Sequence, residues 1–309
     1  MQNGNKNLMG IILAGGEGVR LQRFVTNVYG YHRPKQYCTF IGTRSMFKHT
    51  VDRAAMLIPQ NRLFAVVNID HRDYVKDELT KNPSITIVEQ PCLRDTSAGI
   101  LFPLLKIDKI NPDATVAIFP SDHFILEEKR FMEHVEKANL FVEENPKSIV
   151  LLGIRPQKIE SGYGWIEPTR ELYSDGESKV FNVKKFIEKP DTSLTQNLIK
   201  DGCLINTFVM VGKCSAFIKY ISRCIPELAG AFQPIRSKFG STFEEITVRR
   251  FYKYLPSVNF SKYVLEMIPN HLNVLEVNDV YWSDWGDEQR IGKDIERMDR
   301  VLAASVLAI

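Results

Sequence analysis

The chain has little cysteine, no long apolar run and almost no net charge, and each scarcity removes a class of protein. Five cysteines in 309 residues, Cys38, Cys92, Cys203, Cys214 and Cys224, are odd in number and scattered. None has Cys-x-x-Cys spacing, so neither a disulfide framework nor a zinc site is expected, and they read as reduced filler. The 40 Lys plus Arg are nearly matched by 37 Asp plus Glu, a net of +3. No global field would therefore hold the chain on nucleic acid or a membrane. The polar first seven residues lack the apolar stretch of a signal peptide, and the apolar tail at 301–309 is too short to span a bilayer. A cytoplasmic protein is expected.

What is present is a hydrophobic content of 44% without internal repeats or low-complexity linkers. That suffices for one large α/β domain burying roughly three quarters of its unfolded surface. Short apolar runs at 63–69, 85–89, 114–119 and 149–154 read as buried parallel strands. Amphipathic stretches at 44–58, 70–81, 95–107 and 128–143 have the length of crossover helices, and the βαβ rule then predicts a doubly wound sheet with ligands at strand C-terminal ends. The second half is mixed, with strands near 163–168, 180–188 and 204–211 and helices around 213–221 and 241–254. A division is expected between a catalytic region, 1–255, and a C-terminal extension, 256–309, that completes the site. Residues 287–307 read as a closing helix whose apolar tail would pack on the core or on a second copy in a homodimer.

Charge is concentrated, not spread. Among the first 50 residues Lys6, Arg20, Arg23, Arg33, Lys35, Arg44 and Lys48 face the single acid Glu17. Within that stretch the apolar run ending at Leu13 leads into Ala14-Gly15-Gly16-Glu17-Gly18-Val19-Arg20-Leu21, and Arg33-Pro34-Lys35-Gln36 follows. Glycines without Cβ let backbone N–H groups close around a polyphosphate, with Arg20 and Lys35 supplying positive charge. A P-loop would need Gly-Lys-Ser/Thr where Gly18-Val19-Arg20 stands, and a dinucleotide fingerprint would need a glycine at Leu21. Both are excluded, and a nucleoside triphosphate is the expected ligand.

Further motifs carry carboxylates. Pro120-Ser121-Asp122-His123 ends a strand, placing Asp122 at the ligand crevice, and Trp282-Ser283-Asp284-Trp285-Gly286 frames Asp284 with aromatics. Such a pair suits Mg²⁺, which takes one or two carboxylates plus waters and phosphate oxygens. The competing reading is that Asp122 caps a turn and Asp284 the last helix. Gly162-Tyr163-Gly164-Trp165-Ile166-Glu167 and Phe186-Ile187-Glu188-Lys189-Pro190 offer backbone groups, hydroxyl acceptors and a phosphate partner. An ordinary surface ion pair is the plainer account of Glu188-Lys189.

Leu-Ala-Gly-Gly-x-Gly-x-Arg-Leu, Pro-Lys-Gln, Pro-Ser-Asp-His, Gly-Tyr-Gly-x-Ile-Glu, Phe-x-Glu-Lys-Pro and Trp-x-Asp-x-Gly occur in this order from Met9 to Gly286. The chain thereby resembles the sugar-1-phosphate nucleotidyltransferases, most closely the branch that takes GTP and mannose 1-phosphate. The resemblance implies a Rossmann-like nucleotidyltransferase fold, a mostly parallel mixed sheet flanked by helices with a small C-terminal extension. It also implies an Mg²⁺-dependent exchange of sugar 1-phosphate and GTP, or another triphosphate, into nucleotide-sugar and pyrophosphate. By the same resemblance Arg20, Lys35 and Lys189 act on phosphates, and Asp122 and Asp284 hold the metal. Leu13, Ala14, Gly15, Gly16, Gly18, Gln90, Arg94, Asp95, Thr96 and Ser97 surround the nucleotide, while Gly164, Glu167, Glu188 and Asn206 contact the sugar.

Three departures from the family pattern bear on specificity. Asp95 stands where the family usually has asparagine, a candidate acceptor for the guanine N2 donor or else a helix cap. Phe208 replaces a small residue of an Asn-Ser-Gly-Met-Phe segment, and Asp287 and Glu288 add acids after Trp-x-Asp. No isomerase domain or left-handed β-helix follows, so a single activity is expected. A sugar-nucleotide-binding regulator is the alternative from another class, and a nucleic-acid binder is disfavoured.

Overall fold

The computed structural model describes residues 7–80 and 84–307. Eleven strands run along them: β1 Leu8–Ala14, β2 Leu63–Asn68, β3 Thr86–Gln90, β4 Thr115–Pro120, β5 Phe124–Ile125, β6 Ile149–Ile154, β7 Gly164–Ser174, β8 Lys179–Glu188, β9 Leu204–Lys213, β10 Leu272–Val277 and β11 Trp282–Ser283. Nine of them form one sheet in the order β3-β2-β1-β4-β9-β6-β10-β8-β7. Pairings among β1, β2, β3 and β4 and between β6 and β10 are parallel; β8 and β9 run against their neighbours. This is the mostly parallel mixed sheet expected from the sequence.

The inner strands are largely apolar because both faces are covered. Alternation divides their side chains between two cores. From β1, Met9 and Ile11 join one and Leu8 and Ile12 the other; from β4, Val116 and Ile118 part from Ala117 and Phe119. The helices Asp95–Ile110 and Cys214–Cys224 cover the first face, and Met46–Ala55 and Glu128–Glu144 the second. Burial pushes the Cys38 and Cys214 thiols up to about 12, consistent with cysteines used as small hydrophobes.

The expected helix at 70–81 is a 3-10 turn, Ile69–His71, followed by Arg72–Leu79. The turn is started by Asn68, whose Oδ1 accepts from the Asp70 amide at 3.3 Å; Lys81 lies outside the described residues. Residues 256–309, read from the sequence as an extension, contribute β10 between β6 and β8, inside the sheet. The closing helix spans Glu288–Leu307, and the expected burial of its apolar tail lies outside the described side chains. No helix among the described residues is long and apolar enough to cross a membrane.

Two short strands matter most for the site. β5 and β11 pair antiparallel, with Phe124 opposite Ser283 and Ile125 opposite Trp282. That pairing places Asp122 and Asp284, 162 residues apart in the numbering of one chain, on neighbouring loops.

Candidate functional site

Strands β2 and β4 flank β1 on opposite sides, so the crossovers leave β1 in opposite directions and open a crevice at its C-terminal end. The glycine turn fills the mouth of that crevice. Gly18 has φ +62, and a Cβ there would lie 2.9 Å from Lys35 Cβ and 3.0 Å from Lys35 N. Only glycine lets the turn lie flat on the lysine backbone. Gln36 Nε2 donates to Ala14 O at 2.9 Å and to Gly16 O at 2.8 Å, while Ser121 Oγ donates to Leu13 O at 2.7 Å. Pro-Lys-Gln is thus a clamp on the loop as well as a source of charge, a role for Gln36 that the motif alone did not disclose.

A cavity of about 390 Å³ extends from this turn across the sheet. Leu13, Gly15, Gly16, Gly18 and Arg20 line one end, Asp122 and Asp284 the middle, and Gly164, Glu188, Lys189 and Asn206 the other strands' contribution; Thr96 reaches it from the helix beyond β3. These residues come from seven separated stretches of chain. Lys35 lines an adjoining cavity of about 310 Å³ that shares Gly18, Arg20, Asp122 and Asp284. Its Nζ is 3.2 Å from Asp122 Oδ2 and donates also to the backbone carbonyl of Asp284.

The two carboxylates differ in their surroundings. Burial by itself would raise the Asp122 carboxyl, but Lys35 and His123 beside it prevail and hold it below the usual carboxylate range. Asp284 is likewise held low against its burial, by Tyr163, His123, Arg290 and Lys35. Its Oδ1 accepts from Tyr163 Oη at 2.6 Å, from Gly286 N at 3.1 Å and from Arg290. A Cβ on Gly286 would meet Asp284 Oδ2 at 2.6 Å, so glycine there leaves that oxygen room. Two ionised carboxylates facing one cavity, each with an oxygen turned from its strongest donor, form a hard-oxygen set that fits Mg²⁺. Among the described residues no group of three or more His, Cys, Asp or Glu gathers as an all-protein metal cage. A site completed by phosphate oxygens is the arrangement those two residues fit.

Several expected residues are not in the cavity wall. Ala14 is buried in β1. Gln90 is buried behind Gly15 and accepts from Tyr252 Oη at 2.7 Å through Oε1, so it shapes the glycine turn from below. Arg94 donates to the Lys253 carbonyl. Asp95 sits at φ +57 and accepts from the adjacent Thr96 amide at 2.6 Å, a contact local to the helix start, which carries no side-chain cap. Ser97 is buried, with its amide donating to Val258 O at 3.1 Å. Glu167 pairs with Lys184 at 2.5 Å: beyond Gly164 the pleat of β7 turns this carboxylate to the lysine across the hairpin.

His123, Tyr163 and Trp282, which stood in the motifs without an assigned role, also line the cavity, as does Phe208, while Asn259 and Ser261 lie outside every motif. Arg290, from the closing helix, joins Asp284, Tyr163, Glu160 and Asp287, its Nε lying 3.0 Å from Asp287 Oδ2. Its signal was present as a basic residue three positions after Asp287 on one helix face.

Against known families, residues 9–293 match the nucleotidyl transferase model. The chain belongs to the nucleotidyl transferase family. Among curated relatives, the xanthan biosynthesis protein XanB of Xanthomonas campestris pv. campestris (strain B100) is 28% identical over 231 residues, covering 74% of this chain and 46% of its own. The mannose-1-phosphate guanylyltransferase of Salmonella montevideo is 31% identical over 196 residues, covering 62% of this chain and 40% of its own. The chain thus spans less than half the length of these relatives in the matched region. The solved structure of mannose-1-phosphate geranyltransferase from Thermus thermophilus covers 91% of this chain and 77% of that one, with a TM-score of 0.77 at 21% identity. That likeness concerns the fold.

Proposed function

We propose that this nucleotidyl transferase makes a nucleotide-sugar from a sugar 1-phosphate and a nucleoside triphosphate, with mannose 1-phosphate and GTP as the favoured pair. One observation carries the reading. A single crevice joins a glycine turn and Arg20 to Asp122 and Asp284, and these to Glu188, Lys189 and Asn206. That grouping supports a reading in which a polyphosphate, a divalent ion and a hydroxyl-rich phosphate would bind side by side.

In this reading the backbone amides of Gly15, Gly16 and Gly18 and the Arg20 guanidinium hold the triphosphate. Lys35 holds its departing end, and Lys189 orients the incoming sugar phosphate. An oxygen of that phosphate attacks the α-phosphorus in line, the bond to the β-phosphate breaks, and pyrophosphate leaves with the electron pair. Nothing here calls for a side-chain nucleophile, because positioning and charge neutralisation supply most of the acceleration in such transfers. Asp122 and Asp284 would hold Mg²⁺, which neutralises phosphate charge when bound. GTP and mannose 1-phosphate are favoured because the Salmonella relative is named for that reaction.

Pyrophosphate release tests the reading, measured with GTP, ATP, UTP and CTP against mannose 1-phosphate and glucose 1-phosphate, before and after chelation. The expected result is release that requires a sugar phosphate, is greatest for GTP with mannose 1-phosphate, and stops on chelation until Mg²⁺ returns. No release with any pair would reject the enzyme in favour of a binder. A different best pair would keep the reaction and replace its substrates.

A further inference from the structure

We propose that Phe208 sets the size limit of the sugar end of the cavity, so that hexose 1-phosphates bearing only hydroxyls are accepted and those carrying a bulkier ring substituent are refused. The inference rests on the nucleotidyl-transfer reading and names the substrate class of that same site.

The argument begins in the backbone. Phe208 has φ +61, a conformation in which Cβ crowds the following carbonyl and which bulky residues rarely adopt. It lies in β9, where the pairing with β6 slips. Leu151 faces Met210 but Gly153 faces Asn206, so two steps on β6 answer four on β9. The extra residues form a bulge, a device that re-aims a side chain beside a site.

Local hydrogen bonds hold the bulge in place. The Thr207 hydroxyl, fully buried, donates to Leu152 O at 2.8 Å and accepts from Val209 N at 3.3 Å. Asn206 Oδ1 accepts from Phe208 N at 3.1 Å, which leaves the Asn206 amide NH₂ to face the cavity. The consequence is a phenyl ring in the cavity wall next to Asn206 and on the side of Glu188 and Gly164. Glycine would meet the backbone demand at no cost; the phenyl group instead packs one side on the apolar core and turns the other to the cavity. The same strain marks Lys189, at φ +48 in the same wall. Residues held in sparse backbone regions cluster where a ligand is gripped.

Phe208→Gly and Phe208→Ala test this with GTP and four acceptors: mannose 1-phosphate, glucose 1-phosphate, N-acetylglucosamine 1-phosphate and glucose 1,6-bisphosphate. Thermal unfolding checks that each variant is folded, and calorimetric binding of the same four sugars accompanies the rates. The variants should gain kcat/KM for at least one bulky acceptor, relative to the plain hexoses, by about 10- to 200-fold, the span that a small change of pocket volume commands. The proposal is overturned if neither bulky acceptor gains in either folded variant, by rate or by affinity. If the parent releases no pyrophosphate with any pair, the activity reading fails separately, and the affinity ratios still decide whether Phe208 is the wall.

Discussion

Arg20 and Gly18 stand two residues apart and carry different burdens. Arg20 is exposed at the rim of the cavity, so its truncation should leave the fold intact and remove one preorganised charge from the polyphosphate. Arg20→Ala is expected to cost about 3 kcal/mol of transition-state stabilisation, read as a fall in kcat/KM of roughly a hundredfold. A variant as active as its parent would remove Arg20 from the phosphate clamp. Gly18→Ala should act on the fold as well. It forces an alanine to φ +62 at about 1–2 kcal/mol and drives a methyl against Lys35 Cβ at 2.9 Å. The urea midpoint should drop and the KM for nucleotide should rise together, because the displaced backbone is the one that aims Lys35 at Asp122. The basic first fifty residues show how far charge counting carries. Of the cations noted there, Arg20 and Lys35 reach the cavities, while Arg44 and Lys48 pair with Asp52, and Arg33 lies 5.5 Å and 5.2 Å from the rings of Tyr29 and Tyr74.

At the scale of elements, the packing of Met46–Ala55 against Glu128–Glu144 hides a charge. Arg53 is 2% exposed and pairs with Glu128 at 3.2 Å; burial pushes its guanidinium down to about 10 against the pull of Glu128. Removing the carboxylate by Glu128→Ala leaves that cation buried and unpaired, at about 3–5 kcal/mol. The measurement is the urea midpoint, and a loss under about 1 kcal/mol would mean that water or His49, 3.4 Å from Glu128, supplies the compensation. Elements of this local kind were the legible part of the fold. Runs such as 114–119 and 149–154 are apolar at all but Thr115 because helices cover both faces, and the chain writes that condition plainly. The ladder of β5 with β11 is two residues on each side, too short to leave a periodic trace, yet it is what brings Asp122 to Asp284. Glu167 illustrates the complementary failure, since a motif specifies spacing along β7 but not which partner across the hairpin claims the carboxylate. The Arg290 clamp depends on the same closure, because a helix at the end of the chain holds the carboxylate of the preceding loop. Arg290→Lys keeps the charge but loses the fork. It should raise the Mg²⁺ concentration needed for half-maximal turnover while leaving thermal stability nearly unchanged, and a variant with the parent's metal titration would make Arg290 purely structural.

The whole molecule has a balanced charge, so its response to pH comes from particular buried groups and not from a global field. His134 is pushed below its usual 6.5 by burial, with Arg130 and Lys137 adding to the effect, and the Asn278 carbonyl at 3.0 Å opposing it. His71 is also lowered by burial, partly offset by Glu17. A carbonyl only accepts, so His134 Nε2 carries the proton while Nδ1 faces the Ser178 hydroxyl at 3.1 Å. Both imidazoles are thus kept neutral in the fold and bind fewer protons there than in the unfolded chain. Their contribution is complete above the ordinary 6.5 and is lost as pH falls from there through the folded values. Asp122, Asp284 and Glu128 add a second loss at lower pH, since each is held below the carboxylate range in the fold. Glu78 works the other way: burial raises it, and protonation relieves its desolvation. Burial lowers His123 as well, so with Glu78 opposing these groups the urea midpoint should fall steadily from about pH 7.5 through about pH 5.5 and more steeply below about pH 4.5. His134→Gln, which retains a donor toward Asn278, should flatten the upper part of that slope and leave the lower part alone. A midpoint in the parent that does not change over the upper range would show that the buried histidines take up protons alike in the folded and unfolded chain, and the burial argument for them would fail.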